Sequence, residues 1–112
     1  MLPKDKRLNL KREISRIKKF GRRIESPLFS LLILDSSENP TKIGTITSSK
    51  LGGAVERNKA RRVLSNLVEK NYGQLPVGVK IVLIAKKMLL ESNNEEINAQ
   101  FNSVLSKIHR RY

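Results

Sequence analysis

The stretch from Lys50 to Leu64, K-L-G-G-A-V-E-R-N-K-A-R-R-V-L, most strongly constrains what this chain can fold into. At about 100° per residue, one arc of a helix collects the apolar side chains Ala60, Val63, Leu64, Leu67 and Val68. The opposite arc carries Arg57, Asn58, Arg61 and Arg62, with Lys59 at its edge. The sequence therefore predicts a glycine-led helix, from about Ala54 to Asn71, with one face for a core and one for a polyanion.

The cations of this helix are not balanced by acids. No acidic residue occurs between Arg57 and Arg62, although exposed helix faces usually mix both signs. Like charges at i,i+4 destabilise a helix by roughly 0.2–0.5 kcal/mol per pair, which a bound polyanion would offset. Asn58 suits either a phosphate contact or a hydrogen bond to its own helix. The pair Gly52-Gly53 suits either a flexible entry or close approach of the backbone to phosphate.

Composition agrees with a partner of negative charge. The chain has 112 residues, 38% hydrophobic, and a net charge of +13, which fits one domain over residues 1–112 and a nucleic acid partner. A membrane surface is the weaker alternative, since no apolar run approaches the ~20 residues of a membrane span. Cysteine is absent, and the N-terminus is charged within its first seven residues and has no apolar signal segment, so we expect a cytoplasmic protein.

The N-terminal part is the most basic. Residues 1–23 hold ten of the 23 basic residues, and Leu10, Ile14 and Ile17 recur among them at helical spacing. The pattern predicts a mobile basic segment over residues 1–10, followed by a helix from about Lys11 to Phe20 that ends at Gly21.

The rest of the chain predicts three strands and one more helix. The apolar or β-branched runs that indicate strands are Leu28–Leu34, Lys42–Ser48 and Val79–Ala85, with a turn over residues 35–40. We expect the second strand to run antiparallel to the first. A final helix begins near Ser92–Asn94 and carries the stripe Ile97, Phe101, Val104, Leu105 and Ile108. The strand–helix–strand unit implies a parallel pair of strands, and we predict that the chain as a whole folds as an α+β sandwich.

No catalytic constellation is visible. His109 is the only histidine and lies in a basic end, where a surface position is expected. Glu95 and Glu96 are adjacent and suit the positive end of the last helix. Neither an acid–base pair nor a metal-ligand cluster occurs, so we predict no catalytic residue, no metal site and no cofactor bound by the protein alone.

The glycine-led helix resembles the signature of the protein subunit of bacterial ribonuclease P, K-x-G-x-A-V-x-R-N-x-x-(K/R)-R. The matching residues are Lys50, Gly52, Ala54, Val55, Arg57, Asn58, Arg61 and Arg62. Three positions depart from the usual family pattern. Gly53 stands where Asn is common, Leu51 where a second Lys is common, and Lys59 where Arg is common, which loses a bidentate fork.

The resemblance implies a fold, a function and partners. The fold would be a small mixed sheet in α-β-β-α-β-α order, with a rare left-handed crossover shared with some ribosomal-protein domains. The protein would bind the catalytic RNA and the 5′ leader of precursor tRNA and assist leader removal, while the RNA subunit performs the chemistry with Mg²⁺. The residues implied to bind the catalytic RNA are Lys50, Gly52, Gly53, Arg57, Asn58, Lys59, Arg61 and Arg62.

The family holds the leader in a cleft between the first helix and the sheet. The positions implied to line this cleft are Arg12, Ile14, Lys18, Phe20, Phe29, Leu32, Lys86 and Lys87. Ile14, Lys18 and Leu32 stand where the family often has aromatic residues, so stacking should be weaker here. Phe20 and Phe29 are aromatic, but for each a core position is favoured over a stacking role.

Two other classes of protein compete with this interpretation. A small basic ribosomal or other structural RNA-binding protein would be equally free of catalytic groups, but the Arg-Asn signature argues against it. A DNA-binding helix-turn-helix module is disfavoured, because strands flank the basic helix and no second helix precedes it by a short turn.

Overall fold

Three helices and four strands make up the chain over residues 2–36 and 40–109, which the structure, a computed structural model, describes. The helices are α1 (Leu10–Phe20), α2 (Ala54–Asn71) and α3 (Asn94–His109). The strands are β1 (Arg22–Glu25), β2 (Phe29–Asp35), β3 (Lys42–Ile46) and β4 (Val79–Ala85). The predicted bounds of α2 and β4 are confirmed, and the predicted turn after β2 lies partly outside the described residues, at 37–39.

The strands form one mixed sheet in the order β1-β2-β4-β3. Strands β1 and β2 form an antiparallel hairpin, β2 pairs antiparallel with β4, and β4 pairs parallel with β3. The predicted parallel pair flanking α2 is confirmed. Strand β3 runs opposite to β2, as predicted, but β4 lies between them. Strand β1 was not predicted, because Arg22–Glu25 contains one apolar residue, Ile24, and has no alternation to detect.

Helices α2 and α3 cover one face of the sheet and enclose the main core. The predicted stripe of α3 is buried in full, and Phe101 packs against Phe29 with ring centroids 6.1 Å apart. On α2 the predicted apolar arc is confirmed, with Val63 packed at its margin. Asn93 caps α3 by accepting a hydrogen bond from the Glu96 N–H at 2.9 Å. This layer leaves the opposite arc of α2 facing away from the core.

Helix α1 crosses the other face of the sheet. Ile17 is fully buried and packs with Leu32 and Val82 of the two inner strands. The start of α1 lies so close to β3 that a Cβ on Gly44 would come within 2.8 Å of Leu10 Cδ2. Glycine at this position therefore permits the close approach of the helix to the sheet edge.

The segment before α1 is attached to the sheet edge. The Leu8 N–H donates to the Ile43 carbonyl at 3.0 Å, Arg7 forms a parallel bridge with Ile43, and Leu8 is buried. Residues 7 and 8, which lie within the segment predicted to be mobile, thus extend the pairing of β3.

Candidate nucleic-acid interface

The entry to α2 is shaped by Gly52. Its backbone φ of 127° is in a region that residues with a side chain rarely adopt, and a Cβ there would lie 3.1 Å from the Glu56 side chain. Leu51 is buried and anchors the preceding turn, Ser49–Leu51. Gly53 is the N-cap and supplies no side-chain hydrogen bond, so backbone N–H groups of the first turn remain available to an anion. Gly52 therefore sets the backbone, while the N–H groups offer the anion contact.

The predicted polyanion face of α2 is exposed. Arg57 is half-buried, and the remaining predicted members of the face are exposed: Asn58, Lys59, Arg61 and Arg62. Lys50, in the turn before α2, is exposed as well. Arg61 Nη1 donates to Asn58 Oδ1 at 3.2 Å, which leaves the Asn58 amino group free to donate outward. Lys59 Nζ lies 3.5 Å from the Leu90 carbonyl. The structure therefore brings Val55, Asn58, Arg61 and Arg62 together on one surface. Arg57 is the exception to the predicted polar face, since it is half-buried and lies 7 and 11 residues before the buried Leu64 and Val68, on their side of the helix.

This surface carries uncompensated positive charge. The ion pairs among residues 2–36 and 40–109 are Arg23–Glu25, Lys80–Glu13 and Lys86–Glu25. None of them includes a cation of α2. Val55, 77% exposed at the helix start, adds an apolar contact beside Arg61 and Arg62. The arrangement suits a phosphate backbone, which needs several cations and tolerates adjacent apolar groups.

A second surface lies beside α1, on the opposite face of the sheet. Beyond the row that Ile17 covers, the sheet surface continues with the half-buried side chains Ile46 and Ile84. Ile14 of α1 is half-buried and packs against the same apolar cluster, so the three contribute an apolar surface beside α1. We call this surface the α1 cleft.

Of the predicted cleft cations, Lys18, Lys86 and Lys87 flank the α1 cleft. Arg12 and Lys18 are exposed on α1, Lys86 is half-buried at the end of β4, and Lys87 is exposed next to it. This places positive charge on both sides of an apolar floor. The predicted grouping of Lys18, Lys86 and Lys87 with Ile14 is compatible with the structure. The placement of Arg12 in the cleft is wrong, because Arg12 borders a pocket with Glu13, Lys42 and Lys80, at the other ends of β3 and β4.

The predicted aromatic and apolar cleft residues need correction. Phe29 is fully buried on the opposite face of the sheet, against Phe101, so its place in the cleft is wrong and its core role is confirmed. Leu32 faces α1 but is 3% exposed beneath Ile17, which closes it to a ligand. Phe20 is 65% exposed, so the favoured core position is wrong. The Phe20 ring is available for stacking, with Lys19 Nζ 5.3 Å from its centroid.

Sequence reasoning missed a polar network at the end of the cleft. Lys86 Nζ donates to Glu25 Oε2 at 2.6 Å and to the Ser26 carbonyl at 2.7 Å. Arg23 pairs with the same carboxylate, and Ser30 Oγ donates to it at 2.9 Å. The hydrogen bond from Lys86, followed by those from Arg23 and Ser30, lowers the pKa of Glu25 to about 2. The network depends on the β1–β2 hairpin, which the sequence pattern did not reveal.

Acidic residues and histidine are scattered over the part of the chain that the structure describes. Within residues 2–36 and 40–109, no group of three or more His, Asp or Glu side chains could hold a metal ion. His109 is exposed at the end of α3, as predicted. In the same part of the chain, no helix is long and apolar enough to cross a membrane.

An α+β sandwich with a glycine-led Arg-Asn helix, whose exposed cations have no acidic partner among the described residues, indicates an RNA-binding protein. The sequence pattern of the family described as Ribonuclease P matches residues 2–109. The chain belongs to this family, the protein components of ribonuclease P. It therefore has the ribonuclease P RNA as its partner and takes part in tRNA processing within that ribonucleoprotein, which sets the ribosomal alternative aside.

Relatives and solved structures agree with this membership. The ribonuclease P protein component of Nitratiruptor sp. is 36% identical over 93% of this chain and 93% of its own length. That of Finegoldia magna is 32% identical over 98% and 93%. The solved ribonuclease P protein of Thermotoga maritima is 27% identical, with a TM-score of 0.82 over 90% of this chain and 96% of its own. A Staphylococcus aureus ribonuclease P protein at 23% identity shares the fold, with a TM-score of 0.84 over 95% and 90%.

Proposed function

We propose that the surface of α2 that carries Arg57, Asn58, Lys59, Arg61 and Arg62, called the α2 surface below, binds the catalytic RNA. The α1 cleft binds the single-stranded 5′ leader of precursor tRNA. The protein assists endonucleolytic removal of the leader, and the RNA subunit performs the chemistry with Mg²⁺. The protein alone is inactive, since it assembles no acid–base pair or metal centre among residues 2–36 and 40–109. The proposal includes a cytoplasmic location.

The observation that carries the proposal is the separation of two basic surfaces by the sheet. Helix α2 packs on one face and α1 on the other. The exposed residues of α1 include five cations, Lys11, Arg12, Arg16, Lys18 and Lys19. Its one acid, Glu13, is directed to Lys80 on β4. Two RNA segments can therefore contact the protein at once without competing for the same cations.

The chemistry of the two surfaces differs in a way that fits the two RNAs. The α2 surface is a dense patch of Arg and Lys, suited to the phosphates of a structured RNA. The α1 cleft has an apolar floor of Ile46 and Ile84 between cations, suited to an unpaired strand with exposed bases. Phe20 can add stacking, which contributes about 1–3 kcal/mol per base in other single-strand binders.

Binding of substrates with and without a leader tests the cleft assignment. The protein is reconstituted with a bacterial catalytic RNA, and its affinity for a precursor with a leader of several nucleotides is compared with that for mature tRNA. We expect the protein to favour the precursor, and Lys18→Glu to reduce this preference. Lys107→Glu, the same charge change on α3 and hence on the opposite layer, is the matched control. Equal enhancement for both substrates would contradict the cleft assignment and leave the α2 surface untouched.

A further inference from the structure

One acid lies among the cations of the α1 cleft. Glu25 is the last residue of β1, and its register partner on β2 is Ser30, whose neighbour on β4 is Ile84 of the cleft floor. The Glu25 side chain is 50% exposed, so its carboxylate faces the solvent at the cleft end while it binds Lys86 and Arg23. A phosphodiester entering the cleft meets this negative charge first.

The carboxylate occupies the donors that a phosphate would use. Glu25 accepts hydrogen bonds from Lys86 Nζ, from the Arg23 guanidinium and from Ser30 Oγ. Three converging donors around an oxyanion also form a suitable environment for a phosphate oxygen. Both ion pairs join partly exposed side chains, with Lys86 38% and Arg23 56% exposed, so water weakens each of them and exchange is feasible.

We propose that Glu25 is an internal anion that occupies Lys86 and Arg23 in the free protein and that a phosphate of the bound strand displaces it. The inference rests on the proposed function, because it requires single-stranded RNA in the α1 cleft. Glu25 thereby limits how tightly the cleft holds any polyanion. It favours ligands whose further contacts, to α1 and to the apolar floor, offset the displacement.

The test compares Glu25→Gln with wild type in the holoenzyme reconstituted with catalytic RNA. Glutamine keeps the size of the side chain and removes the charge, so Lys86 and Arg23 become available to phosphate. We expect affinity for a leader-bearing precursor to rise roughly two- to fivefold at low salt, the scale of an exposed ion pair. The dependence of log K on log salt should steepen by about 0.7 for each phosphate newly contacted on a single strand.

Two controls separate this effect from net charge. Glu96→Gln makes the same charge change on the exposed first turn of α3, on the opposite layer, and should alter both substrates slightly and equally. In a Lys86→Met background, the gain from Glu25→Gln should be smaller. Thermal melting of each variant checks that the fold is retained.

Two results would overturn the inference. Weaker leader binding by Glu25→Gln would show that the carboxylate positions Lys86 for RNA. An effect equal to that of Glu96→Gln would show that only net charge matters. If wild type itself shows no preference for leader-bearing precursor, the proposed function fails instead, so the two failures are distinct.

Discussion

Lys80 of β4 and Glu13 of α1 form an ion pair between helix and sheet, with Nζ and Oε1 3.1 Å apart. The Lys80 side chain is 9% exposed and that of Glu13 18%. Because β4 is an inner strand, the Lys80 ammonium lies between the sheet and α1, where it would be an unpaired charge without Glu13. The pair both satisfies that charge and fixes α1 above the sheet, which in turn shapes the cleft.

Removing one member of this pair should destabilise the protein. Glu13→Gln leaves the buried ammonium of Lys80 without its counter-charge, and we expect a loss of about 1–3 kcal/mol in the free energy of unfolding. Adding Lys80→Met should recover most of this loss, because it removes the uncompensated charge. Urea unfolding of the two single variants and the double variant measures the coupling. Additive losses would contradict a direct interaction between the two side chains.

The free energy of unfolding should decrease at acid pH, because the carboxylates of Glu13 and Glu25 stabilise the fold only when ionised. Hydrogen bonding to Lys80 lowers the pKa of Glu13, and that to Lys86 lowers the pKa of Glu25 to about 2. Because the pKa of each carboxyl group is lower in the folded protein than in the unfolded chain, the unfolded chain takes up protons at a higher pH. The stabilisation is therefore complete above the ordinary glutamate pKa of about 4.3 and declines as pH falls toward the folded values. Urea midpoints between about pH 2.5 and pH 7 measure this decline. Glu13→Gln should make it shallower, and an unchanged slope would contradict the assignment.

Phe20 and Phe29 should respond oppositely to truncation. Phe29→Ala removes a fully buried ring and should cost about 3–5 kcal/mol of stability. Phe20→Ala removes a ring that is 65% exposed, so stability should change little while leader affinity falls by about 1–3 kcal/mol if a base stacks there. Melting curves and precursor binding separate the two effects. Unchanged precursor binding by Phe20→Ala would exclude this ring from the interface.

The α2 surface should lose affinity for RNA without losing its fold. Arg61→Ala removes an exposed cation and Arg57→Ala a half-buried one, and each should weaken binding to the catalytic RNA by roughly 1–3 kcal/mol. Lys107→Ala, a cation on α3, is the control and should bind like wild type. Wild-type binding by both arginine variants would remove α2 from the interface.

Sequence reasoning succeeded where a repeating pattern carries the structure. The helical spacing of Ala60, Leu64 and Leu67 is sufficient to predict α2 and to separate its buried arc from its polar one. The β-branched run of β4 likewise predicts a buried strand. Helix α2 buries one side, which its helical periodicity records, whereas β4 is buried on both faces, which its nearly continuous apolar run records.

The errors come from features that depend on tertiary pairing. Strand β1 has one apolar side chain, and only its hairpin with β2 brings Glu25 beside Ser30. Phe20 and Phe29 are chemically identical and differ only in their place in the fold. Phe20 is the last residue of α1, whereas Phe29 lies on the side of β2 that faces α3. Leu32 lies on the cleft face but beneath Ile17, a contact between α1 and the sheet that no local pattern records.

The most direct test of the account is a Mg²⁺ titration of leader removal by a bacterial catalytic RNA, with and without the protein. The protein should lower the Mg²⁺ concentration required, because its cations replace metal ions in screening the contact between the two RNAs. Arg57→Ala and Arg61→Ala should each reduce this shift, and protein freed of RNA should cleave no precursor at any Mg²⁺ concentration. Cleavage by the RNA-free protein, or a Mg²⁺ requirement unchanged by wild-type protein, would contradict the account.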